Sequence, residues 1–167
     1  MDTLTYLQGF LKTHGNPAPS SLPPDTIYWF WKSHQDTFDI ASYLTVVWCE
    51  SNLGTTGYSK LWNNPGNIKP SNYPGIWQQL ATGSGTTPDG QSLNKYPDIY
   101  TGQRAVIRLL HDYNNNFYMQ KLMNHDWRGF ANVYYGKNVP GIEGYIVNLQ
   151  GAHTHIVKDA AAAGFKW

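Results

Sequence analysis

The segment Ile40-Ala-Ser-Tyr-Leu-Thr-Val-Val-Trp-Cys49 is the most apolar stretch of the chain, and it runs directly into Glu50, one of only two glutamates in 167 residues. Ile40, Leu44 and Val47 recur at i, i+4 and i+7, so the spacing predicts a helix over 39–51. Apolar residues also fill the positions between, which leaves no polar face and demands burial on every side. The rest of the fold has to be assembled around this helix. Ser51-Asn-Leu-Gly54 can stop it, and the Gly/Asn/Pro-rich passage Leu61-Trp-Asn-Asn-Pro-Gly-Asn-Ile-Lys69 lies just beyond. A carboxyl group carried by a core helix to the rim of a polar, aromatic-lined loop is placed to act as a general acid. Burial against Trp48 and the valines would raise its pKa and keep it protonated near neutrality. The plain alternative is a glutamate that faces solvent at a helix end.

Only 14% of the residues are charged while 41% are hydrophobic, so the polar surface must be built from Asn, Gln, Ser, Thr and Gly. Such a surface suits neutral, hydroxyl-rich ligands. A net charge of +1 without a Lys/Arg stripe argues against nucleic acid and against a membrane surface. Seven Trp and twelve Tyr supply rings that can pack a core or stack on sugars. The length suits one domain over 1–167, with a core that needs no metal or disulfide. The lone Cys49 reads as a small buried hydrophobe rather than a nucleophile. No apolar run reaches the ~18 residues of a membrane span, and Met1-Asp-Thr-Leu-Thr-Tyr6 does not read as a signal peptide.

Helices are expected over 2–13, ending at Gly15, and from an Asp25 N-cap to about His34 with Ile27, Phe30 and Trp31 inward. The four aromatics Tyr28-Trp-Phe-Trp31 point in all directions, so most belong to the core. Residues 52–75 read as an irregular loop. Two short arms around Pro88-Asp89-Gly90 predict a small hairpin lobe between 76 and 96. Helices resume over 102–113, stop at Asn114-Asn-Asn116, and continue over 117–123 and, capped by Asp126, over 127–135. Pro140-Gly141 breaks the chain before helices at 142–149 and 153–163. The fold class is therefore mainly α (α+β), a helical domain with a β-hairpin lobe.

Two blocks carry a resemblance. The first is Glu50-Ser51-Asn52-Leu53-Gly54, then Ser59, then Asn63-Asn-Pro-Gly-Asn-Ile-Lys69. The second, about 80 residues on, is Val133-Tyr-Tyr-Gly-Lys-Asn-Val-Pro-Gly141, ending in Tyr145. In this order they resemble the lysozyme superfamily, in particular its glucosaminidase and lytic transglycosylase branches, over roughly 25–150. The loop reads Pro-Gly-Asn-Ile-Lys where the family has Phe-Gly-Ile-Lys, and no glutamate lies between Glu50 and Glu143. The resemblance implies a lysozyme-like fold that cleaves the β-1,4 glycan backbone of peptidoglycan with Glu50 as proton donor. It implies a cleft tyrosine at Tyr135 and substrate or loop contacts from Ser59 and Asn67. The partner is then the glycan strand of a bacterial cell wall. Without an export signal, a phage source is implied, with the enzyme virion-associated or released through a separate pore and targeted by a tail protein or separate wall-binding module.

Other residues complete the candidate site. Trp62, Tyr73 and Trp77 lie in Gly/Pro-rich surroundings that offer a buried ring little to pack on, so two of the three are expected to line a subsite. Asp89 is the candidate second carboxylate, which glycosidases place about 5 to 10 Å from the first; its Asp-Gly position is equally explained by the turn. Asp98 and Glu143 read as helix-end residues. If no second acid acts, Glu50 serves as acid and then base, and the missing glutamates favour that course. His153 and His155, two apart on a helix, face different ways and match no zinc pattern, so neither metal nor cofactor is expected. The rival reading is a glycan-binding or tail structural module with this fold and no activity.

Overall fold

The computed structural model describes residues 2–15, 18–71 and 75–165. Among the described residues about 60% are helical, with one two-stranded antiparallel sheet, which makes the fold mainly α (α+β) as the patterning predicts. The central helix is α3 (Ile40–Ser51). Asp39 caps it by accepting a 2.6 Å hydrogen bond from the Ser42 amide, and every residue from Ile40 to Val47 is buried. Each fully buried Ile, Leu or Val there contributes about 1.5–3 kcal/mol. Around it pack α1 (Thr3–His14), α2 (Pro24–Ser33), α6 (Ile99–Asp112), α7 (Phe117–Met123), α8 (Trp127–Ala131) and α9 (Ile142–Ala162). The closest-knit pair is α3 with α9. No described helix is long and apolar enough to cross a membrane.

Three expectations about the helices change. Pro23, not Asp25, is the N-cap of α2, and Asp25 lies in the first turn, where its charge complements the helix dipole. Proline at N1 already fixes the backbone angle that starts a helix. The two helices expected over 142–149 and 153–163 are one. Glycine inside a helix costs about 1 kcal/mol relative to alanine, but Tyr145, Ile146, Leu149, Ile156 and Ala160 form one buried face across Gly151. The segment after Ala131 is not α-helical to its end. Residues Asn132–Gly136 widen into a π-helical turn, a rare form that tends to occur at functional sites.

The loop after α3 is more ordered than its composition suggests. Asn52, Leu53 and Gly54 take left-handed φ of 48°, 58° and 79°, which turns the chain sharply away from Glu50. Leu53 pays for that conformation with a fully buried side chain. Ser51 ties the turn together: its hydroxyl donates to the Pro65 carbonyl at 2.7 Å and accepts from the Gly54 amide at 2.9 Å. A short helix, α4 (Gly57–Trp62), interrupts the expected irregular region, and α5 (Ile76–Gln79) follows it. Buried Asn64 holds the next stretch, donating to the carbonyls of Ile68 (2.9 Å) and Asn94 (3.0 Å) and accepting from the Ile68 amide (2.8 Å). Helix α6 presses directly on this loop. A Cβ at Gly102 would lie 1.6 Å from the Asn63 carbonyl oxygen, so only glycine fits there.

The hairpin pairs β1 (Gly83–Thr86) with β2 (Ser92–Lys95), with Gly83 opposite Lys95 and Thr86 opposite Ser92. Its tip closes through the Thr87 amide on the Gln91 carbonyl at 2.8 Å.

Candidate active site

Glu50 sits on the last turn of α3, half-buried, at a cleft of about 460 Å³. The cleft takes its lining from the Asn67–Ser71 loop, the hairpin tip with Asp89 and Gln91, and the π-helical turn with Tyr134 and Tyr135. Both carboxyl oxygens are held. Tyr145 donates its hydroxyl to Oε1 at 2.6 Å, and the Asn67 amide donates to Oε2 at 3.1 Å and to the Glu50 carbonyl at 2.7 Å. Burial raises the Glu50 pKa above the ordinary glutamate value; the Tyr145 and Asn67 hydrogen bonds and the Lys69 charge oppose that rise without reversing it. These opposed influences suit a proton donor. Burial shifts Glu50 toward its neutral form, yet the carboxylate left after donation still has two donors and a nearby cation.

Asp89 lines the same cleft under the opposite influence. Thr87 donates to Oδ1 and Gln91 donates to Oδ2 at 2.8 Å, and these bonds, with the Lys69 charge, lower its pKa. The structure therefore brings together one carboxyl pushed toward its neutral form and one kept ionised. Both Asp89 oxygens also serve the turn of the hairpin, so its identity is accounted for locally. Asp98 caps α6 by accepting from Thr101 at 2.7 Å, and Glu143 pairs with Arg128 through two 2.7 Å hydrogen bonds. Neither lines the cleft. Burial and the adjacent Glu50 push the Cys49 thiol up to about 12, which leaves it a neutral thiol near pH 7.

The remaining expected residues divide. Asn67 is in the site and touches Glu50 through its side chain. Ser59 is not: it is 1% exposed in α4 and donates to the Thr56 carbonyl at 2.6 Å, the loop-holding role. Trp62 does not line the cleft. It stacks on Tyr58 at 4.8 Å, takes the Lys95 ammonium 5.2 Å from its ring, and lies against Gly85 of the hairpin. Tyr58, its stacking partner, does reach the cleft. Trp77 borders the cleft but is 3% exposed, so it is a core residue first. The expectation that its surroundings offer a ring little to pack on fails because α5 folds it onto Tyr113, 6.3 Å away, far along the chain. Tyr73 lies outside the described residues.

Tyr135, 37% exposed, lines the cleft without a hydrogen bond to Glu50; it stacks on Tyr145 at 4.7 Å with the rings 16° from parallel. The tyrosine that reaches the acid is Tyr145 itself, which the second sequence block contained but did not single out. Its signal was its place on the buried face of α9, where a tyrosine hydroxyl needs a partner. Tyr134 donates to the Gly66 carbonyl at 2.6 Å and so pins the π-helical turn to the loop that carries Asn67. His153 packs on His125 and Trp127, whereas His155 faces His14 and Trp48. Among the described residues no group of three or more His, Cys, Asp or Glu could hold a metal. No protein-family model, curated protein or solved structure matches this chain.

Proposed function

We propose that the protein cleaves the β-1,4 glycan backbone of bacterial peptidoglycan, with Glu50 as the proton donor. The observation that carries this reading is the Glu50 carboxyl itself. It is pushed toward its neutral form by burial and held by Tyr145 and Asn67 at a cleft with a polar and aromatic lining. The order of the Glu50-Ser51 and Tyr134-Tyr135-Gly136 blocks, which resembles the lysozyme superfamily, supplies the polymer. A phage source, with delivery to the wall in the virion or through a separate pore, belongs to the same proposal.

The neutral acid carries its proton on Oε2, where the contact to Asn67 is the longer one, while Oε1 keeps the short bond from Tyr145. Oε2 gives the proton to the glycosidic oxygen, the bond from the anomeric carbon to that oxygen breaks, and the leaving sugar departs as an alcohol with the bonding pair. The Glu50 carboxylate then takes a proton from the nucleophile that attacks the anomeric carbon. Water gives a reducing end, and the sugar's own hydroxyl gives an anhydro product. Release of fragments from purified cell walls, identified by mass spectrometry, tests the reading. Absence of any glycan-derived fragment at any pH would sink it.

Tyr145→Phe tests the tuning of the acid. The phenol hydrogen bond lowers the Glu50 pKa, so its removal lets the pKa rise further. A general acid works below its pKa, so the alkaline limb of the pH–rate profile is expected to move to higher pH in the variant. An unmoved or acid-shifted limb would mean that Tyr145 does not act on the acid.

Asp89→Asn decides between one carboxyl and two. Asparagine keeps the Thr87 acceptor, and Gln91 can turn its amide to meet the new donor. The expected loss is below about tenfold, short of the ~10² or more that a general base or nucleophile carries. A hundredfold loss with the fold intact would make Asp89 the second catalytic carboxylate.

A further inference from the structure

Of the four consecutive aromatics on α2, Trp29 is left outside the core, 58% exposed. It flanks a second groove of about 510 Å³ between α2 and α6, bordered across from it by Tyr100, which is 49% exposed. Among the described residues none lines both this groove and the Glu50 cleft. Helices α5 and α6 divide the two, with Trp77 and Leu109 on the cleft and Ile76 and Ile107 on the groove. Each exposed ring has a cation beside it: the Lys32 ammonium lies 5.1 Å from Trp29, and the Arg104 guanidinium lies 5.7 Å from Tyr100. Neither cation forms a salt bridge among the described residues. Ser33 and His34 also line the groove; the Ser33 hydroxyl donates to the Trp29 carbonyl at 3.0 Å and His34 Nδ1 bonds the Phe30 carbonyl at 2.9 Å, so the Ser33 lone pairs and His34 Nε2 are what remain for a ligand.

The two exposed rings, each with a cation over one face, are of the kind that stack on sugars, and the hydroxyl and imidazole groups suit sugar hydroxyls. Arg104 and Lys32 are cations without anions of their own. Among the described residues Arg104 and Arg108 line the groove, with Arg108 already paired to Asp112, and Lys32 stands at its edge over Trp29; that is too little positive charge for a phosphate backbone, which Asp25 in the same groove would repel. We propose that the α2–α6 groove is a second binding site for a carboxylate-bearing glycan strand, one that retains the polymer while the cleft acts on it. The identity of the polymer rests on the function proposed above.

The test uses full-length Glu50→Gln protein, which should bind without cutting, in co-sedimentation with purified peptidoglycan and, separately, with neutral chitin. Adding Trp29→Ala and Tyr100→Ala should weaken pelleting about tenfold on both polymers, the product of two lost stacking contacts. Adding Arg104→Ala alone should weaken it about threefold on peptidoglycan only, because only that polymer carries carboxylates. With Glu50 intact, the Trp29/Tyr100 variant should cut short soluble fragments at the wild-type rate. All three side chains are on the surface, so unchanged melting temperatures are expected. Equal pelleting of the parent and the ring variant, including none by either, overturns the groove proposal. The cleft reading fails on a different measurement, when wild-type protein releases no fragments from peptidoglycan.

Discussion

Glu50→Gln is expected to lower fragment release from peptidoglycan by at least ~10²-fold, the usual scale for losing a general acid, while the protein stays folded. Gln keeps the shape of the side chain and can still accept from Tyr145 through its oxygen. What it lacks is a proton to give. The same substitution has a signed effect on stability. Because burial raises the pKa of Glu50 in the folded state, its contribution is fully present below the ordinary glutamate pKa and is lost as pH rises through the higher folded value. Gln carries no such dependence. Its melting temperature should match wild type in acid, overtake it as pH rises from the ordinary glutamate value through the raised folded one, and keep a constant advantage above that. Wild-type activity in the Gln variant would end the assignment of Glu50 as the acid, and bound glycan without turnover in the wild type would favour a binding module instead. An advantage in melting temperature that appeared only in acid would contradict the burial argument.

Trp77→Ala should destabilise the protein by ~3–5 kcal/mol, the cost of truncating a large aromatic in a packed core. For a chain of this size that is a fall in melting temperature on the order of 10 °C. Trp77 lies against Tyr113, its ring folds back so closely that a Cβ at Gly75 would be 2.2 Å from it, and its carbonyl accepts the Tyr96 hydroxyl at 3.0 Å. The cleft loses part of its lining as well, so activity should fall with stability, and Trp77→Phe should recover most of both. Thermal denaturation followed by circular dichroism checks this. A shift of a degree or less would return Trp77 to the role of an exposed platform.

Periodicity made the helices legible because each buries a stripe whose spacing is written locally. Ile40 through Val47 demanded a central helix, and Asp39, Asp98 and Asp126 lie where capping side chains are needed. Three successive asparagines at 114–116, all left-handed, were as readable a stop as any. Local rules failed where packing from a distance decided the outcome. The chain read as two helices over 142–149 and 153–163, but the face from Tyr145 to Ala160 holds one helix against α3. Trp77 looked exposed because its sequence neighbours are polar, while the ring it packs against lies 36 residues downstream.

The sequence by itself determined which acid stands at the end of the buried helix, since an apolar run that ends on one of two glutamates leaves little choice. It determined as well that a Gly/Asn loop would follow and that a hairpin would form around Asp89. Which tyrosine meets the acid could be decided only in three dimensions. Tyr134, Tyr135 and Tyr145 are near-equivalent as residue types. The π-helical turn directs Tyr134 to the Gly66 carbonyl, leaves Tyr135 stacked above Tyr145, and the packing of α9 on α3 delivers the Tyr145 hydroxyl to Glu50 across 95 residues of chain. A hydrogen bond of that separation has no local signature, because the two helices that make it are each specified without reference to the other.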